Sequence, residues 1–365
     1  MRAFPLSAKG RFCNCRTAKS GLIFPEATSF IKFLSSLAST ALSLPIVSNN
    51  TPSATTVLSF LGPLGTFTDQ ALLTQKDLSI CDLDPLPSIP EVLHRVSDGR
   101  SDLGFVAIEN SIEGSVNITQ DTLTFETDVL IQREVVISVQ MNLLVNSNVG
   151  LEDIEEVISF PHATAQCRQW LEENLPNAVN RAANSTAEAA QQLADSGASN
   201  IATIGSTRAA EVYGLTIIAE DIEDHPENQT RFVLVAKEGI PAPTGHDKTS
   251  LIIFQRTDRP GSLLGILQEF AARTINLTRL ESRPTKQALG DYCFLIDIEG
   301  HIADELVADC LRVLQTKHGQ VKFLGSYPTD SGSSDDQDKN IRNAVSAASQ
   351  EADDWLTDLR NQLPK

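Results

Sequence analysis

From Val57 onward, short apolar segments alternate with segments in which apolar residues recur at helical spacing. This alternation constrains the fold more than any other feature of the sequence, because it is typical of sheets covered by helices on their faces. It predicts an α/β domain over residues 54–238 with a largely parallel sheet. The predicted strands are 57–61, 103–108, 135–139, 143–146, 156–159, 201–204, 215–218 and 231–236. The predicted helices include 88–97, 163–173 and 186–196.

A second pattern begins after residues 239–247, a Pro- and Gly-containing linker. The order of predicted elements from there to residue 329 is strand, helix, strand, strand, helix, strand, which is the ferredoxin-like βαββαβ arrangement. The strands are predicted at 250–256, 276–282, 292–299 and 321–326, and the helices at 262–273 and 303–316.

The two ends of the chain differ from these domains. Residues 1–53 carry six basic residues against Glu26 alone and are rich in Ser and Thr. A transit peptide, a secretory signal and a mis-called start all fit part of this pattern, and we expect a disordered or artefactual extension. Residues 330–365 begin Ser- and Asp-rich, and we expect an acidic tail with a peripheral amphipathic helix.

The formal net charge of −18 argues against nucleic acid or an anionic membrane as a partner, because both would repel the surface. The six cysteines are scattered and form no C-x-x-C pair, which favours reduced thiols in a cytosol-like compartment. The cysteines and histidines lack metal-ligand spacing, so we predict no metal.

Polar segments at 61–68, 108–111, 160–166 and 204–208 each follow a predicted strand and open a predicted helix. Such junctions present free backbone N–H groups and the positive end of a helix dipole, which suits carboxylates. For any one of them, simple N-capping is the better explanation. Together they make an anion-binding cleft plausible, with residues 225–232 at its lip.

Four motifs resemble those of prephenate dehydratases: residues 62–68 (GPLGTFT), 108–114 (IENSIEG), 162–167 (HATAQC) and 228–232 (NQTRF). In that family the corresponding segments line one cleft between two α/β lobes, in a fold similar to periplasmic binding proteins. The resemblance covers residues 57–238. It implies conversion of prephenate to phenylpyruvate with loss of CO2 and of the ring hydroxyl, without a cofactor.

The resemblance also implies the site residues. The catalytic candidates are Thr230, Arg231, Glu109 and His162. The substrate-binding candidates are Thr66, Thr68, Asn110, Ser111, Gln166, Ser206, Arg208, Asn228 and Phe232. We expect Thr230 to hydrogen-bond the leaving hydroxyl, and Arg231 and Arg208 to bind substrate carboxylates through charge-assisted bonds. Glu113 is expected to be structural.

Residues 259–264, 275–278 and 281–284 resemble an ACT regulatory domain, over 248–329. That family implies phenylalanine bound between two such domains as an allosteric effector, and therefore a homodimer or homotetramer. The effector-binding candidates are Gly261, Ser262, Leu263, Leu264, Asn276, Leu277, Thr278 and Glu281. Thr274 stands where the family usually has Gly, so we expect this loop to differ in detail, because β-branched residues suit a positive φ poorly.

The sequence therefore predicts a cytoplasmic, phenylalanine-regulated prephenate dehydratase of phenylalanine biosynthesis, or a plastid enzyme if residues 1–53 are a transit peptide. Arogenate dehydratase is the enzymatic alternative, because its substrate differs only by an amino group in place of the side-chain keto oxygen. A non-catalytic small-molecule binding protein is the alternative from another class.

Overall fold

The computed structural model describes residues 52–147, 149–255, 259–286, 291–330 and 354–362. Residues 1–51 of the predicted extension and most of the predicted tail lie outside these residues. Within them, two α/β lobes are followed by a C-terminal βαββαβ domain. The two-lobed α/β architecture and the ferredoxin-like domain are thus confirmed.

Lobe 1 is built on a sheet with the strand order β2-β1-β3-β11-β5, to which the short β4 adds beside β3. Its strands are β1 (Val57–Leu61), β2 (Asp82–Leu86), β3 (Leu103–Asn110), β4 (Gly114–Ser115), β5 (Leu130–Ser138) and β11 (Gln229–Ala236). Its helices are α1 (Phe67–Thr74), α2 (Ile89–Ser97) and α3 (Asn117–Phe125).

Lobe 2 is built on a sheet with the order β10-β6-β9-β7-β8. Its strands are β6 (Asn142–Val145), β7 (Glu156–Ser159), β8 (Val179–Ala182), β9 (Ile201–Gly205) and β10 (Thr216–Ala219). Its helices are α4 (Pro161–Gln166), α5 (Arg168–Asn174), α6 (Thr186–Ser196) and α7 (Thr207–Tyr213), with a 3-10 turn at Leu151–Asp153. The chain enters this lobe after β5 and returns to lobe 1 at β11.

The expectation of a largely parallel sheet is wrong. In lobe 1, β1 is parallel to β2 and β3, but β11 is antiparallel to both β3 and β5. In lobe 2, β7 is parallel to its neighbours, whereas β6 is antiparallel to β9 and β10. In each sheet, the strand that is antiparallel to both neighbours lies next to a crossing between the lobes: β6 is the first strand of lobe 2, and β11 is the strand that returns to lobe 1.

Strand β11 is buried on both faces, which explains its continuous apolar run. Phe232 and Leu234 pack into one core of lobe 1, where Phe232 stacks on Phe105 with ring centroids 5.3 Å apart. Val233 and Val235 face the opposite core, which contains residues of both lobe 1 and the C-terminal domain. Because side chains alternate between the two faces of a strand, successive residues of β11 face these two cores in turn.

The C-terminal domain has the sheet order β13-β14-β12-β15. Its elements are β12 (Asp247–Gln255), α8 (Ser262–Ala271), β13 (Leu277–Pro284), β14 (Tyr292–Glu299), α9 (Glu305–Val313), a π-helical turn at Leu314–His318 and β15 (Gly319–Pro328). One face of this sheet is covered by α8 and α9. The other face packs on lobe 1, where a Cβ on Gly325 would come within 2.6 Å of the Ile131 carbonyl oxygen of β5.

Thr274, three residues before the start of β13, adopts a φ of +55°. The positive-φ backbone conformation is therefore present in this loop although a β-branched residue occupies it. Such a residue is strained in this region, because its Cβ crowds the following carbonyl oxygen.

Candidate active site

A hydrogen-bonded network links the two lobes at the end of β11. Thr230 and Asn110 are register partners on β11 and β3, so their side chains leave the same face of the sheet. Asn110 Nδ2 lies 2.9 Å from Thr230 Oγ1 and 2.8 Å from Asn228 Oδ1. Thr230 is 9% exposed and Asn228 is 1% exposed. The inner end of the network is therefore largely shielded from water.

The network continues into lobe 2. Asn228 Nδ2 donates to Gln166 Oε1 over 3.1 Å, and Gln166 Nε2 donates to Glu113 Oε1 over 3.1 Å. Glu113 Oε2 lies 3.0 Å from His162 Nδ1. Because Glu113 belongs to lobe 1 while Gln166 and His162 belong to α4 of lobe 2, these bonds join the lobes across the cleft.

Glu113 was expected to be structural, and in the structure it pairs with Gln166 and His162 of lobe 2. Hydrogen bonds from His162 and Gln166 lower the pKa of Glu113 below its usual value. It is therefore a paired carboxylate and can adjoin an anionic ligand at smaller electrostatic cost than an unpaired one. Only its place in the 108–114 motif hinted at this role, since spacing alone does not show where the side chain of a loop residue points.

Local structure explains why these side chains meet. Asn110 Oδ1 accepts from the backbone N–H groups of Ile112 and Glu113, both at 2.9 Å, and so fixes the turn between β3 and β4. This segment does not open a helix directly, as the sequence had suggested, but turns into β4. Phe160 stacks on the His162 ring with centroids 5.1 Å apart and an interplanar angle of 17°. The imidazole is thereby held between an aromatic face and the Glu113 carboxylate.

Several predicted substrate ligands serve as caps or lobe contacts. Thr66 Oγ1 accepts from the Asp69 N–H and caps α1, while Ser206 Oγ caps α7 and donates to the Gly65 carbonyl. Arg208 Nε donates to the buried Asp69 carboxylate over 2.9 Å. At Thr66 and Ser206, the side chains therefore act as the helix N-caps that the sequence analysis gave as the alternative to ligand binding. Thr68 is a buried residue of α1.

Ser111 lies beside the network, and its Oγ accepts from the Gln229 N–H over 2.9 Å. Phe232 is 1% exposed inside the lobe 1 core, so it does not face a ligand. Arg231 and Glu109 are register partners, and their side chains lie on the face of the sheet opposite Thr230. The structure therefore separates Arg231 and Glu109 from the network that contains Thr230, because adjacent residues of a strand point to opposite faces.

The predicted effector residues fall on two parts of the C-terminal domain. Gly261 to Leu264 open α8, with Gly261 at a φ of +89° and Leu264 59% exposed. Asn276 to Thr278 lead into β13 at the other end of α8. Glu281 instead faces lobe 1, where its Oε2 accepts from Ser115 Oγ over 2.6 Å.

Among the described residues, no cluster of three or more His, Cys, Asp or Glu side chains could hold a metal ion. A cavity of about 590 Å³ lies on lobe 2 beside β8 and α5, but the network residues do not line it. Among the described helices, none has the length and apolar character needed to span a membrane. The four described cysteines are buried free thiols.

Comparisons with known proteins match both the two-lobed part of the chain and its C-terminal domain. Residues 58–240 match the family model of prephenate dehydratase, and residues 249–315 match that of the ACT domain. A protein of Mycobacterium tuberculosis (strain H37Rv) named prephenate dehydratase is 38% identical over 317 residues, which cover 84% of this chain and 95% of that protein. The crystal structure of an Arthrobacter aurescens prephenate dehydratase in complex with L-Phe superimposes with a TM-score of 0.76 at 38% identity, covering 84% of this chain and 99% of that one. A structure described as GqqA, a novel type of quorum quenching acylase, gives a TM-score of 0.68 at 29% identity and covers 75% of this chain and 98% of that one.

Proposed function

The chain belongs to the prephenate dehydratase family, and on that premise we propose that it converts prephenate to phenylpyruvate, CO2 and water. The observation that carries the proposal is the position of Thr230 in a network that joins both lobes. The reaction aromatises the ring, which supplies its driving force. The protein therefore has to hold two carboxylates and help the ring hydroxyl leave as water.

Thr230 suits the second task. Because Asn110 donates to Thr230 Oγ1, the hydroxyl hydrogen of Thr230 is left to point toward a bound group. A threonine hydroxyl is too weak an acid to release a proton by itself, so its part is a hydrogen bond to the leaving hydroxyl. That bond strengthens as negative charge develops on the departing oxygen, which is the condition for lowering the barrier.

His162 is the proton donor in this proposal. Glu113 contacts its Nδ1 and orients the ring, which leaves Nε2 for the substrate. Transfer of one proton from the imidazolium to the departing hydroxyl yields water, while cleavage of the ring carboxylate's bond releases CO2 and supplies the electrons of the new ring double bond. The amide groups of Asn110, Asn228 and Gln166 are the donors for the substrate carboxylates, after exchange of their present partners.

Three substitutions at Thr230 test the proposal. Thr230→Val keeps the shape but removes the hydroxyl, and we expect kcat to fall roughly 100- to 1,000-fold. Thr230→Ser keeps the hydroxyl and should retain kcat within about tenfold. Phenylpyruvate is measured by its ultraviolet absorbance with prephenate and, in parallel, with arogenate. Wild-type kcat in the Thr230→Val protein would refute the assignment, and turnover of arogenate alone would make the protein an arogenate dehydratase.

The same network does not favour acyl hydrolysis. That chemistry needs a nucleophilic hydroxyl or thiol activated by a base within hydrogen-bond reach. Among the described residues, His162 pairs with Glu113, and no hydroxyl or thiol forms a hydrogen bond with its ring. The hydroxyl of Thr230 is held by an amide donor instead.

L-Phenylalanine is the effector that we propose for the C-terminal domain. The two predicted effector segments lie at opposite ends of α8, a helix of 10 residues and so roughly 15 Å long. One small ligand is too short to contact both segments of the same chain. Two chains packed through this domain would bring them together, which supports a homodimer or a homotetramer.

A cytoplasmic location is also part of the proposal. It is supported by the acidic composition and by the isolated cysteines of the chain. Fractionation of cells that express the full chain, with an antibody against it, tests this location; recovery in a plastid or secreted fraction would contradict it.

A further inference from the structure

Arg231 has a setting unlike that of a substrate ligand. It follows Thr230 on β11, but its side chain leaves the opposite face and is 12% exposed. Its Nη2 donates to Asp297 Oδ2 of the C-terminal domain over 2.6 Å. Its Nη1 lies 3.3 Å from Glu109 Oε2. The guanidinium is thus enclosed by protein carboxylates between lobe 1 and the C-terminal sheet.

Asp297 is itself fixed by its own domain. It lies in the central part of β14, where Ser250 Oγ of β12 donates to its Oδ1 over 2.6 Å. Ser250 Oγ is also 2.6 Å from the hydroxyl of Tyr327 on β15, and Tyr327 is completely buried. Asp297 therefore moves only if the C-terminal sheet moves.

The other contacts of Arg231 are weaker. Its Nε is buried without a hydrogen-bond partner, and the nearest carboxylate oxygen, on Glu134, is 3.6 Å away and accepts from Lys248 over 2.8 Å. The contact with Glu109 involves a side chain that is 37% exposed. The orientation of the guanidinium is therefore determined mainly by Asp297.

The C-terminal domain also contacts the β3–β4 segment, which carries Glu113 of the network. Ser115 on β4, two residues after Glu113, donates to Glu281 on β13. Glu281 in turn is held by Arg279 and Arg283 of the same strand, at 2.5 Å and 2.9 Å. The C-terminal domain thus contacts both chain segments that carry lobe 1 residues of the network.

We propose that Arg231 is a positioning residue for the dehydration, held by Asp297 so that the C-terminal domain fixes the segment of β11 that presents Thr230. This inference rests on the proposed function. A displacement of about 1 Å at a reacting group can cost roughly 100-fold in rate, so loss of this support affects catalysis even though neither side chain touches the substrate. The same pair gives the C-terminal domain a direct mechanical route to the site.

The test compares kcat and KM for prephenate in the full-length wild type, Asp297→Asn, Arg231→Met, and the double variant Arg231→Met with Asp297→Leu. The double variant replaces the buried ion pair by apolar side chains, which proteins commonly tolerate, so it remains informative if a single variant fails to fold. Asp309→Asn is the control, because Asp309 belongs to the same domain but pairs with Arg273.

We expect kcat to fall roughly 10- to 100-fold in Asp297→Asn and in the double variant, with KM within about threefold of the wild type. We also expect the double variant to lose no more kcat than Arg231→Met alone. Asp309→Asn should match the wild type. Faster amide hydrogen exchange at residues 229–231 in Asp297→Asn would agree with the loss of positioning.

Two results would overturn the inference. Wild-type kcat in Asp297→Asn and the double variant would show that the pair does not support the site. A large rise in KM confined to the proteins that lack Arg231 would show that the guanidinium binds substrate itself. Absence of turnover in the wild type would overturn the proposed function and this inference with it, whereas wild-type turnover with unaffected variants would overturn the inference alone.

Discussion

Asn110→Asp is the substitution that separates the structural from the functional part of the network. Asn110 Oδ1 accepts two backbone N–H groups of the β3–β4 turn, while its Nδ2 faces Thr230 and Asn228. Aspartate keeps the oxygen that holds the turn and replaces the amide donor by a second oxygen. The fold should therefore persist while a negative charge enters the region where we place the anionic substrate.

The cost follows from Coulomb's law. For a substrate carboxylate about 5 Å from the new charge and an effective dielectric constant of about 20, the repulsion is roughly 3 kcal/mol. Since about 1.4 kcal/mol corresponds to a factor of ten, substrate affinity should fall by roughly 200-fold. The effect should appear mainly as a higher KM, and it should diminish at lower pH as the new carboxyl becomes protonated.

Initial rates of phenylpyruvate formation over a range of prephenate concentrations measure this effect, and denaturant unfolding measures stability. Asn110→Ala is the matched variant. It removes the two turn bonds as well, so its free energy of unfolding should fall by about 1–3 kcal/mol. Asn110→Asp keeps the turn bonds, and its loss of stability should come only from the second oxygen, which faces the oxygens of Asn228 and Gln229. A wild-type KM in a folded Asn110→Asp protein would refute the argument that Asn110 faces the bound anion.

Three further predictions concern stability, each measured by denaturant unfolding. Thr274→Gly should raise the free energy of unfolding by roughly 0.5–1 kcal/mol, because relief of the left-handed strain exceeds the entropy cost of glycine. The stability of Thr274→Asn should lie between those of Thr274→Gly and Thr274→Ala, and a destabilised Thr274→Gly protein would contradict the prediction. Gly325→Ala should lower the free energy of unfolding by roughly 3 kcal/mol, because its Cβ clashes with β5. The matched variant Gly245→Ala should lower it by only about 1 kcal/mol, because Gly245 also has a positive φ but has no atom within 4 Å of an added Cβ. Equal losses in the two variants would argue against the clash. The bond from His162 holds the pKa of Glu113 below 4.5, so the stabilisation by the ionised carboxylate is present above pH 4.5 and is lost as the pH falls. The free energy of unfolding of Glu113→Gln should therefore be lower than that of the wild type above pH 4.5, and the difference should shrink below that pH. A difference that does not depend on pH would contradict this prediction.

Most of the buried elements could be predicted from the sequence. The interior strands β1 and β7 and helix α6 have the bounds that their apolar periodicity predicts. The strands that were missed include β2 and β8, which lie at sheet edges. Edge strands bury little side-chain area, so they need no apolar alternation; all four residues of β8 are exposed.

The sequence motifs predicted which residues belong to the candidate site, but not how those residues are arranged in space. The sequence motifs contained Thr230, Asn110, Gln166 and His162, which the structure brings into one network. They also contained Arg231, whose direction depends on strand alternation and on a carboxylate 66 residues away. Contacts at such a separation are made by the packing of whole domains, so local spacing carries no signal of them.

The boundary between the two family matches, near residues 240–249, does not divide the core. Val233 and Val235 of lobe 1 share one apolar cluster with Leu295 and Tyr327 of the C-terminal domain. A chimera that received this regulatory module from another enzyme would have to reproduce both the shape of that shared cluster and the carboxylate that faces Arg231. Otherwise, recombination at the linker would leave the lobe 1 side of the shared apolar cluster without matching side chains from the C-terminal domain.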